Sequence, residues 1–213
     1  MNLILLGPQG SGKGTQAELL AKKFGLMHLE MGRILRSIAN SDNKYAKVVK
    51  ETIDNGNLVP DEYVRLIAWD HISKNYDKVS GFIFEGYPRS LAQYEQVEDI
   101  MKQFGKKIDR VILLNISEGE TIRRLEARRT CEKCGEIFNL LTKPPKNPEV
   151  CDVCGGRLVQ RIDDQSEAIK RRLEIYHSQT EEIIRKAREE GSLLEVDGER
   201  PIETIFEEIV SKL

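Results

Sequence analysis

The sequence lacks several features that define large classes of proteins. Its apolar runs are all shorter than the roughly 20 residues that a membrane-spanning helix needs. No basic stretch with a cleavage site precedes its first apolar segment. Its 33 basic and 35 acidic residues nearly balance, which leaves a formal net charge of −2 and no overall field that attracts nucleic acid. We therefore expect a cytoplasmic protein with neither a membrane nor a nucleic acid as its partner.

Cysteine is absent from most of the chain, because all four cysteines lie between positions 131 and 154. Their spacing is C-x2-C, sixteen residues, C-x2-C, and a glycine follows each pair. In zinc ribbons this spacing brings four thiolates around one metal ion and leaves no open coordination position. Two disulfides are disfavoured by a reducing cytoplasm, whereas iron shares the same four-sulfur geometry. The pattern predicts a structural zinc site formed by Cys131, Cys134, Cys151 and Cys154.

The apolar patterning predicts an α/β fold in one domain of 213 residues that carries insertions. A helix follows Thr15, and later strands and helices alternate. The predicted strands are 2–6, 27–29, 81–85, 110–116 and 192–196, and the later helices are 61–75, 91–104, 119–129, 165–190 and 201–213. Such alternation indicates a parallel sheet with helices on both faces. Two segments, 30–59 and 127–164, interrupt it, and we interpret them as insertions packed over the sheet.

A glycine-rich turn follows the first predicted strand. Residues 7–15 read GPQGSGKGT, which matches G-x-x-x-x-G-K, with Gly14 where many such turns have Ser or Thr. Glycines let successive backbone N–H groups point inward, the next helix adds its positive dipole, and Lys13 adds a point charge. A glycine-rich turn that binds nothing is the alternative, which the flanking strand and helix disfavour. The segment therefore predicts a phosphate-binding loop, or P-loop.

Charged residues elsewhere also suit phosphate chemistry. Glu85 and Arg89 follow a buried strand, so we expect them at the carboxyl edge of the sheet beside the P-loop. A carboxylate there can hold magnesium through water, although a salt-bridged surface turn is an equal alternative. Arg124 and Arg128 are four residues apart in a predicted helix and are expected to face the same way. Arginine binds phosphate through paired hydrogen bonds, but spacing alone does not separate such arginines from solvated ones.

Several motifs together resemble those of the adenylate kinase family in its long-lid form. They are the segments 7–16 and 58–62, the turn 86–89 with Gln93, the pair 128–129, and Arg161 before the acidic pair 163–164. The resemblance covers essentially the whole chain in order. It implies the P-loop nucleoside monophosphate kinase fold with a five-stranded parallel sheet. The implied reaction is reversible and magnesium-dependent, ATP + AMP to 2 ADP, catalysed by a monomer.

The resemblance also divides the chain and assigns roles to residues. It implies core segments at 1–29, 60–126 and 165–213, an AMP-binding helical insertion at 30–59, and a zinc-ribbon-like lid at 127–164, called here the lid segment. The implied ATP site comprises Gly10, Ser11, Gly12, Lys13, Gly14, Thr15, Arg124, Arg128, Ile137, Phe138 and Arg200. The implied AMP site comprises Met31, Arg36, Asn57, Leu58, Val59, Gly86, Tyr87, Pro88, Arg89, Gln93, Arg161 and Arg172. The implied catalytic cations are Lys13, Arg89, Arg124, Arg128, Arg161 and Arg172, with Glu85 holding magnesium through water.

Three positions depart from the family pattern. Met31-Gly32-Arg33 stands where the family usually has Thr-Gly-Asp, so a hydroxyl that contacts the AMP nucleoside is missing. Glu85 replaces an aspartate, and Gln9 replaces a proline. None of these changes removes a phosphate-binding group. Met31 nevertheless leaves a UMP/CMP or GMP kinase as an alternative, which the usually short lid of those relatives disfavours.

Two other classes of protein account for part of the sequence. A nucleic-acid-binding ATPase with a zinc ribbon would explain both the cysteines and the P-loop. It would need a basic face around the cysteines, and Glu132, Glu136, Glu149 and Asp152 argue against one. A P-loop switch protein would need a motif that reads a base, and we find none in the sequence.

Overall fold

A five-stranded parallel sheet forms the centre of the structure, a computed structural model that describes residues 1–55 and 57–213. Its strands pair in the spatial order β2-β3-β1-β4-β8. They are nearly continuous apolar runs because helices cover both faces of the sheet. The α/β class and the parallel sheet expected from the sequence are confirmed. The strands are β1 Leu3–Leu6, β2 Met27–Glu30, β3 Phe82–Glu85, β4 Arg110–Asn115 and β8 Leu193–Asp197.

Helices pack on both faces of this sheet. Successive strand residues point to opposite faces, so Leu3 and Leu5 pack in one apolar cluster with α1 and α9, while Ile4 packs in the other. The helices are α1 Lys13–Phe24, α2 Met31–Ala39, α3 Ala46–Asp54, α4 Asp61–Ser73, α5 Leu91–Gln103, α6 Glu118–Glu126, α7 Ser166–Ile175, α8 Glu181–Glu189 and α9 Ile202–Lys212. No helix in the described part of the chain is long and apolar enough to span a membrane.

The first insertion is helical, as its sequence indicates. Helices α2 and α3 fill most of the described residues of 30–59. Leu35 and Val49 are buried and join the larger of the two core clusters. The insertion is therefore fastened to the core through the apolar faces of its two helices.

The lid segment contains a small antiparallel sheet of its own, with strand order β6-β5-β7. These strands are β5 Arg128–Cys131, β6 Ile137–Asn139 and β7 Leu158–Val159. The predicted helix over 119–129 is wrong at its end, since α6 stops at Glu126 and Arg128 lies on β5. The physical reason is tertiary pairing. The Asn139 side chain donates to the carbonyl of Arg124 at 2.8 Å, and Leu140 N–H donates to that of Ala127 at 3.0 Å.

The long helix predicted over 165–190 is interrupted. Helices α7 and α8 are separated by a π-helical turn, Tyr176–Thr180. Within it, the Thr180 hydroxyl donates to the carbonyl of Arg89 at 2.8 Å, and Tyr176 lies on the wall of the central cavity. π-Helical turns of this kind are frequent at functional sites. Periodicity could not reveal the turn, because its partner is Arg89, far away in sequence.

Candidate active site

A cavity of about 610 Å³ lies at the carboxyl edge of the central sheet. Ligands of open parallel sheets bind at this edge. The structure brings nearly all the predicted nucleotide-site residues together here. Those that line the cavity are Gly10, Ser11, Gly12, Lys13, Gly14, Thr15, Met31, Arg36, Asn57, Leu58, Val59, Glu85, Gly86, Pro88, Arg89, Gln93, Arg124, Arg128, Ile137, Phe138, Arg161, Arg172 and Arg200. Tyr87 differs, because its side chain is buried in the core and its hydroxyl donates to Gln96 Oε1 at 3.4 Å.

The P-loop connects β1 to α1 as its sequence indicates. Gly12 precedes the helix with φ +90°, a left-handed conformation that side-chain-bearing residues rarely adopt. The Lys13 ammonium folds back over the loop and donates to the carbonyls of Gly7 and Pro8, both at 2.7 Å. Burial, reinforced by the positive charges of nearby arginines, lowers the Lys13 pKa to about 7, although Glu85 opposes that shift. The loop thus holds a half-buried lysine that lacks a compensating anion within hydrogen-bonding distance among the described residues.

Three arginines surround two buried carboxylates beside the P-loop. Arg161 makes a paired hydrogen bond to Asp163, and Arg128 makes one to Asp164. Arg172 Nη1 lies 3.2 Å from an Asp163 carboxylate oxygen and donates to the Asp163 carbonyl at 3.0 Å. Burial acts to raise the Asp163 pKa, but Arg161 and Arg172 outweigh it and hold that pKa below its usual range. Burial also lowers the Arg172 pKa to about 9. The carboxylates therefore fix the guanidiniums in place around the cavity.

Arg124 is held by a different carboxylate. Its Nε donates to Glu120 Oε1 at 2.6 Å, and its Nη1 donates to the carbonyls of Gly198 at 2.9 Å and Gly10 at 3.3 Å. A hydrogen bond from Arg123 contributes most to lowering the Glu120 pKa to about 2, with Arg124 adding to it against the effect of burial. Sequence reasoning missed Glu120, although its position four residues before Arg124 on a helix was the available signal.

Arg89 and Gln93 form one hydrogen-bonded unit with Asp61. Arg89 Nε donates to the Gly86 carbonyl at 2.9 Å, and Arg89 N–H donates to Gln93 Oε1 at 2.8 Å. Gln93 Nε2 donates to Asp61 Oδ1 at 2.7 Å. A backbone N–H can only donate and a carboxylate can only accept, so the two ends of the buried Gln93 amide are unambiguous. Sequence reasoning missed Asp61, because 32 residues separate it from Gln93.

Another part of the cavity wall carries Glu30 with two arginines. Arg33 Nε lies 2.8 Å from Glu30 Oε2, and Arg36 Nη2 lies 3.6 Å from Glu30 Oε1. Burial and the neighbouring Glu85 raise the Glu30 pKa to about 7, while burial lowers the Arg36 pKa to about 10. Met31, next to them, is 1% exposed and packs in the larger core cluster. This wall is therefore apolar where Met31 lies and charged around it.

Residues of the lid segment and of the segment after β8 also line the cavity. Ile137 and Phe138 lie on β6, and Phe138 is largely buried. Lys143 Nζ lies 5.8 Å from the centroid of the Phe138 ring. Arg200 follows β8, pairs with Glu208 and donates to the Asp197 carbonyl at 3.4 Å. Ile137, Phe138 and Arg200 thus give this part of the cavity wall an apolar surface and a basic residue.

The four cysteines converge in the lid segment. The Sγ atoms of Cys131 and Cys154 are 3.5 Å apart, and those of Cys134 and Cys151 are 3.6 Å apart, so neither pair is a disulfide. Sulfurs bound to one tetrahedral zinc ion at about 2.3 Å are separated by about 3.8 Å. A Cβ on Gly156 would lie 2.8 Å from the Cys131 sulfur, so only glycine fits beneath the cluster. The four side chains therefore fit a tetrahedral metal ion.

A P-loop at the edge of a parallel sheet, ringed by arginines, defines a P-loop phosphotransferase that binds nucleotides. The family model described as "Adenylate kinase" matches residues 5–192. An adenylate kinase of Caldicellulosiruptor bescii is 41% identical over 100% of this chain and 99% of its own length. One of Archaeoglobus fulgidus is 42% identical over 98% of this chain and 96% of its own. The chain belongs to the adenylate kinase family and is a nucleoside monophosphate kinase, which confirms the resemblance stated above.

Proposed function

We propose that this cavity catalyses the transfer ATP + AMP to 2 ADP, with AMP as the preferred acceptor. The observation that carries the proposal is the convergence of one lysine and five arginines on the cavity that the P-loop lines. These catalytic cations are Lys13, Arg89, Arg124, Arg128, Arg161 and Arg172. Phosphoryl transfer needs positioning and charge stabilisation rather than a covalent protein intermediate. Side chains of this kind supply both.

On the donor side, the P-loop would hold the phosphates of ATP. The backbone N–H groups from Gly10 to Thr15 and the N-terminus of α1 favour anions. The Lys13 ammonium would exchange its carbonyl partners for the transferred phosphoryl group, since a phosphate oxygen is the stronger acceptor. Arg124 and Arg128 would reach the same phosphates, while Ile137, Phe138 and the backbone of Arg200 would enclose the adenine.

On the acceptor side, four arginines would hold the AMP phosphate and the charge that develops during transfer. These are Arg36, Arg89, Arg161 and Arg172, and the turn Gly86-Tyr87-Pro88 positions Arg89. Gln93, with its amide oriented by Asp61, would bind the adenine. Asn57, Leu58 and Val59 would contribute backbone contacts, and Met31 an apolar one.

Motion would complete the site. Water competes with AMP as an acceptor, so the phosphates must be enclosed before transfer. We assign that enclosure to the insertion 30–59 and the lid segment 127–164, with 1–29, 60–126 and 165–213 as the core on which both move. The ion pairs of Arg128 with Asp164 and of Arg161 with Asp163 would keep the arginines aimed into the cavity.

Two metal ions belong to the proposal. Magnesium, when bound with ATP, neutralises charge on the phosphate oxygens. Glu85 ends β3 on the cavity wall and would hold it through water, because carboxylates are the ligands that magnesium prefers. We assign the four-cysteine cluster to one structural zinc ion per chain, with iron as the alternative. We expect the enzyme to be a monomer in the cytoplasm.

The test is a coupled assay that offers magnesium-ATP with AMP, GMP, CMP or UMP in turn. We expect kcat/KM for AMP to exceed the others by at least roughly tenfold, since a site built to hydrogen-bond one base leaves polar groups unpaired with another. Gln93→Leu keeps the size but removes the amide and should reduce that preference. Gln103→Leu, an exposed glutamine on the same helix, is the matched control. A higher rate with UMP or CMP would overturn the acceptor assignment.

A further inference from the structure

Three potential metal ligands stand together at the carboxyl edge of the sheet. His28 and Glu30 lie on β2, and Glu85 ends β3. Glu30 and Glu85 are direct partners in the parallel pairing, and His28 pairs with Ile83 two positions earlier. Alternate strand residues share a face of the sheet, so the three side chains project on the same side. Two paired strands thus present one imidazole and two carboxylates to one point.

The distances between these groups leave a gap. One ligand atom from each side chain lies within 4.8 Å of the others. His28 Nε2 is 4.0 Å from Glu85 Oε2, which is too far for a hydrogen bond. This nitrogen is fully buried and has no hydrogen-bond partner among the described residues. A buried polar atom without a partner is costly, so the gap calls for a partner at Nε2, and the imidazole tautomer protonated on Nδ1 offers the Nε2 lone pair to a metal ion.

The charges around the gap also favour a cation. Carboxylates placed directly opposite in a sheet repel each other. Arg33 Nε lies 2.8 Å from Glu30 Oε2, whereas Arg36 Nη2 lies 3.6 Å from Glu30 Oε1, beyond hydrogen-bond distance. That carboxylate oxygen is therefore available to a ligand between the two strands.

We propose that His28, Glu30 and Glu85 bind one divalent transition-metal ion, such as Mn²⁺, in the absence of nucleotide. Imidazole with carboxylates suits manganese, iron and zinc, whereas magnesium takes oxygen ligands. Ligands about 2.1 Å from one ion are roughly 3 Å apart, so ligand atoms that now lie as far as 4.0 to 4.8 Å apart must close in by about 1 to 2 Å. The site shares Glu85 with the proposed magnesium contact, but its occupancy needs neither ATP nor catalysis.

The experiment uses the zinc-loaded enzyme without nucleotide and titrates it with Mn²⁺, which the cysteine cluster disfavours. Electron paramagnetic resonance measures the free ion, and we expect one bound Mn²⁺ per chain. Pulsed measurements on the bound ion should detect coupling to an imidazole nitrogen. The absence of binding without nucleotide, or of that nitrogen coupling, would refute the site. Neither result depends on kinase activity, so failure here is separable from failure of the proposed function.

Variants give an independent measurement. His28→Gln and Glu30→Gln should each weaken Mn²⁺ binding by at least tenfold. His71→Gln is the matched control, because His71 lies on α4, outside the cluster of His28, Glu30 and Glu85. Circular dichroism and the melting temperature establish that each variant is folded. Equal Mn²⁺ affinity in folded His28→Gln and His71→Gln would overturn the proposal, as would nitrogen coupling that persists in His28→Gln.

Discussion

The central sheet lies between two layers of helices, whereas the lid segment packs around four sulfur atoms. In the sheet, strands β1, β3 and β4 are lined by apolar side chains that are almost completely buried. In the lid segment, the buried apolar cluster of the described residues consists of Phe138, Leu158 and two of the cysteines. Both regions nevertheless present arginines to the same cavity. The central sheet and the lid segment therefore both position arginines at the cavity, but they differ in what stabilises them.

The difference follows from what each segment can bury. Apolar burial stabilises by about 25 cal/mol per Å², and the sheet supplies enough of it to hold charged groups at its edge. The lid segment buries little apolar surface of its own, and the metal ion that we propose for its four cysteines would take the place of an apolar core. Arg128 and Arg161 then depend on Asp164 and Asp163 at the base of the lid for their positions.

The largest effect on activity is expected from a substitution in the core, at Arg89. Arg89→Ala should lower kcat/KM by about 10³-fold or more, because arginines that stabilise the charge of phosphoryl transfer contribute that much. Its melting temperature should change by no more than about 4 °C, or roughly 1 kcal/mol. Burial lowers the Arg89 pKa, so the fold gains little from this charge. Steady-state kinetics and calorimetry measure the two quantities.

The matched control is Arg110→Ala, because Arg110 is an exposed arginine at the start of β4, on the opposite edge of the sheet. It should leave both the rate and the melting temperature close to those of the unmodified enzyme. A rate for Arg89→Ala within tenfold of that of Arg110→Ala would contradict the role assigned to Arg89.

The second largest effect is expected from a substitution in the lid segment, at Cys131, and it concerns stability. Cys131→Ser removes one of four sulfur ligands and should lower the melting temperature of the enzyme by about 10 °C, or roughly 3 kcal/mol. Activity at low temperature should persist, because the cysteines do not line the cavity. Calorimetry, metal analysis and a kinase assay test these points. Val153→Ser, a change at an exposed position between Cys151 and Cys154, is the control. An unchanged metal content and melting temperature would contradict the structural role.

The same contrast explains how much could be predicted from sequence. The strands were predictable because a buried parallel strand is a continuous apolar run, and the cysteine cluster because its ligands come in two local pairs. The end of α6 and the π-helical turn were not, because each depends on partners distant in sequence, at Asn139 and at Arg89. The role of Asp61 escaped for the same reason, whereas Glu120 is only four residues from the Arg124 that it holds. Local patterns thus reveal elements and motifs, whereas the partners that orient a site come from tertiary contacts.

The smallest expected effect concerns Lys13 of the core, which is half-buried on the cavity wall without an anionic hydrogen-bond partner among the described residues. With a pKa of about 7, about nine-tenths of the Lys13 side chains are neutral at pH 8. Phosphate oxygens beside the ammonium favour its charged form and raise that pKa. ATP binding at pH 8 should therefore take up close to one proton, and at pH 6 almost none, since Lys13 is then already charged.

Calorimetry of ATP binding in buffers of different ionisation enthalpy measures this uptake directly. Lys13→Arg is the control variant, because a guanidinium stays charged throughout the range and keeps the positive charge in the loop. Glu30, whose pKa is also about 7, lies on the same cavity wall, but its contribution is common to both proteins and cancels in the difference. The unmodified enzyme should exceed Lys13→Arg by most of one proton at pH 8 and match it at pH 6. Equal proton uptake by the two proteins at both pH values would mean that Lys13 is already protonated in the free enzyme, and that its partial burial does not discharge it.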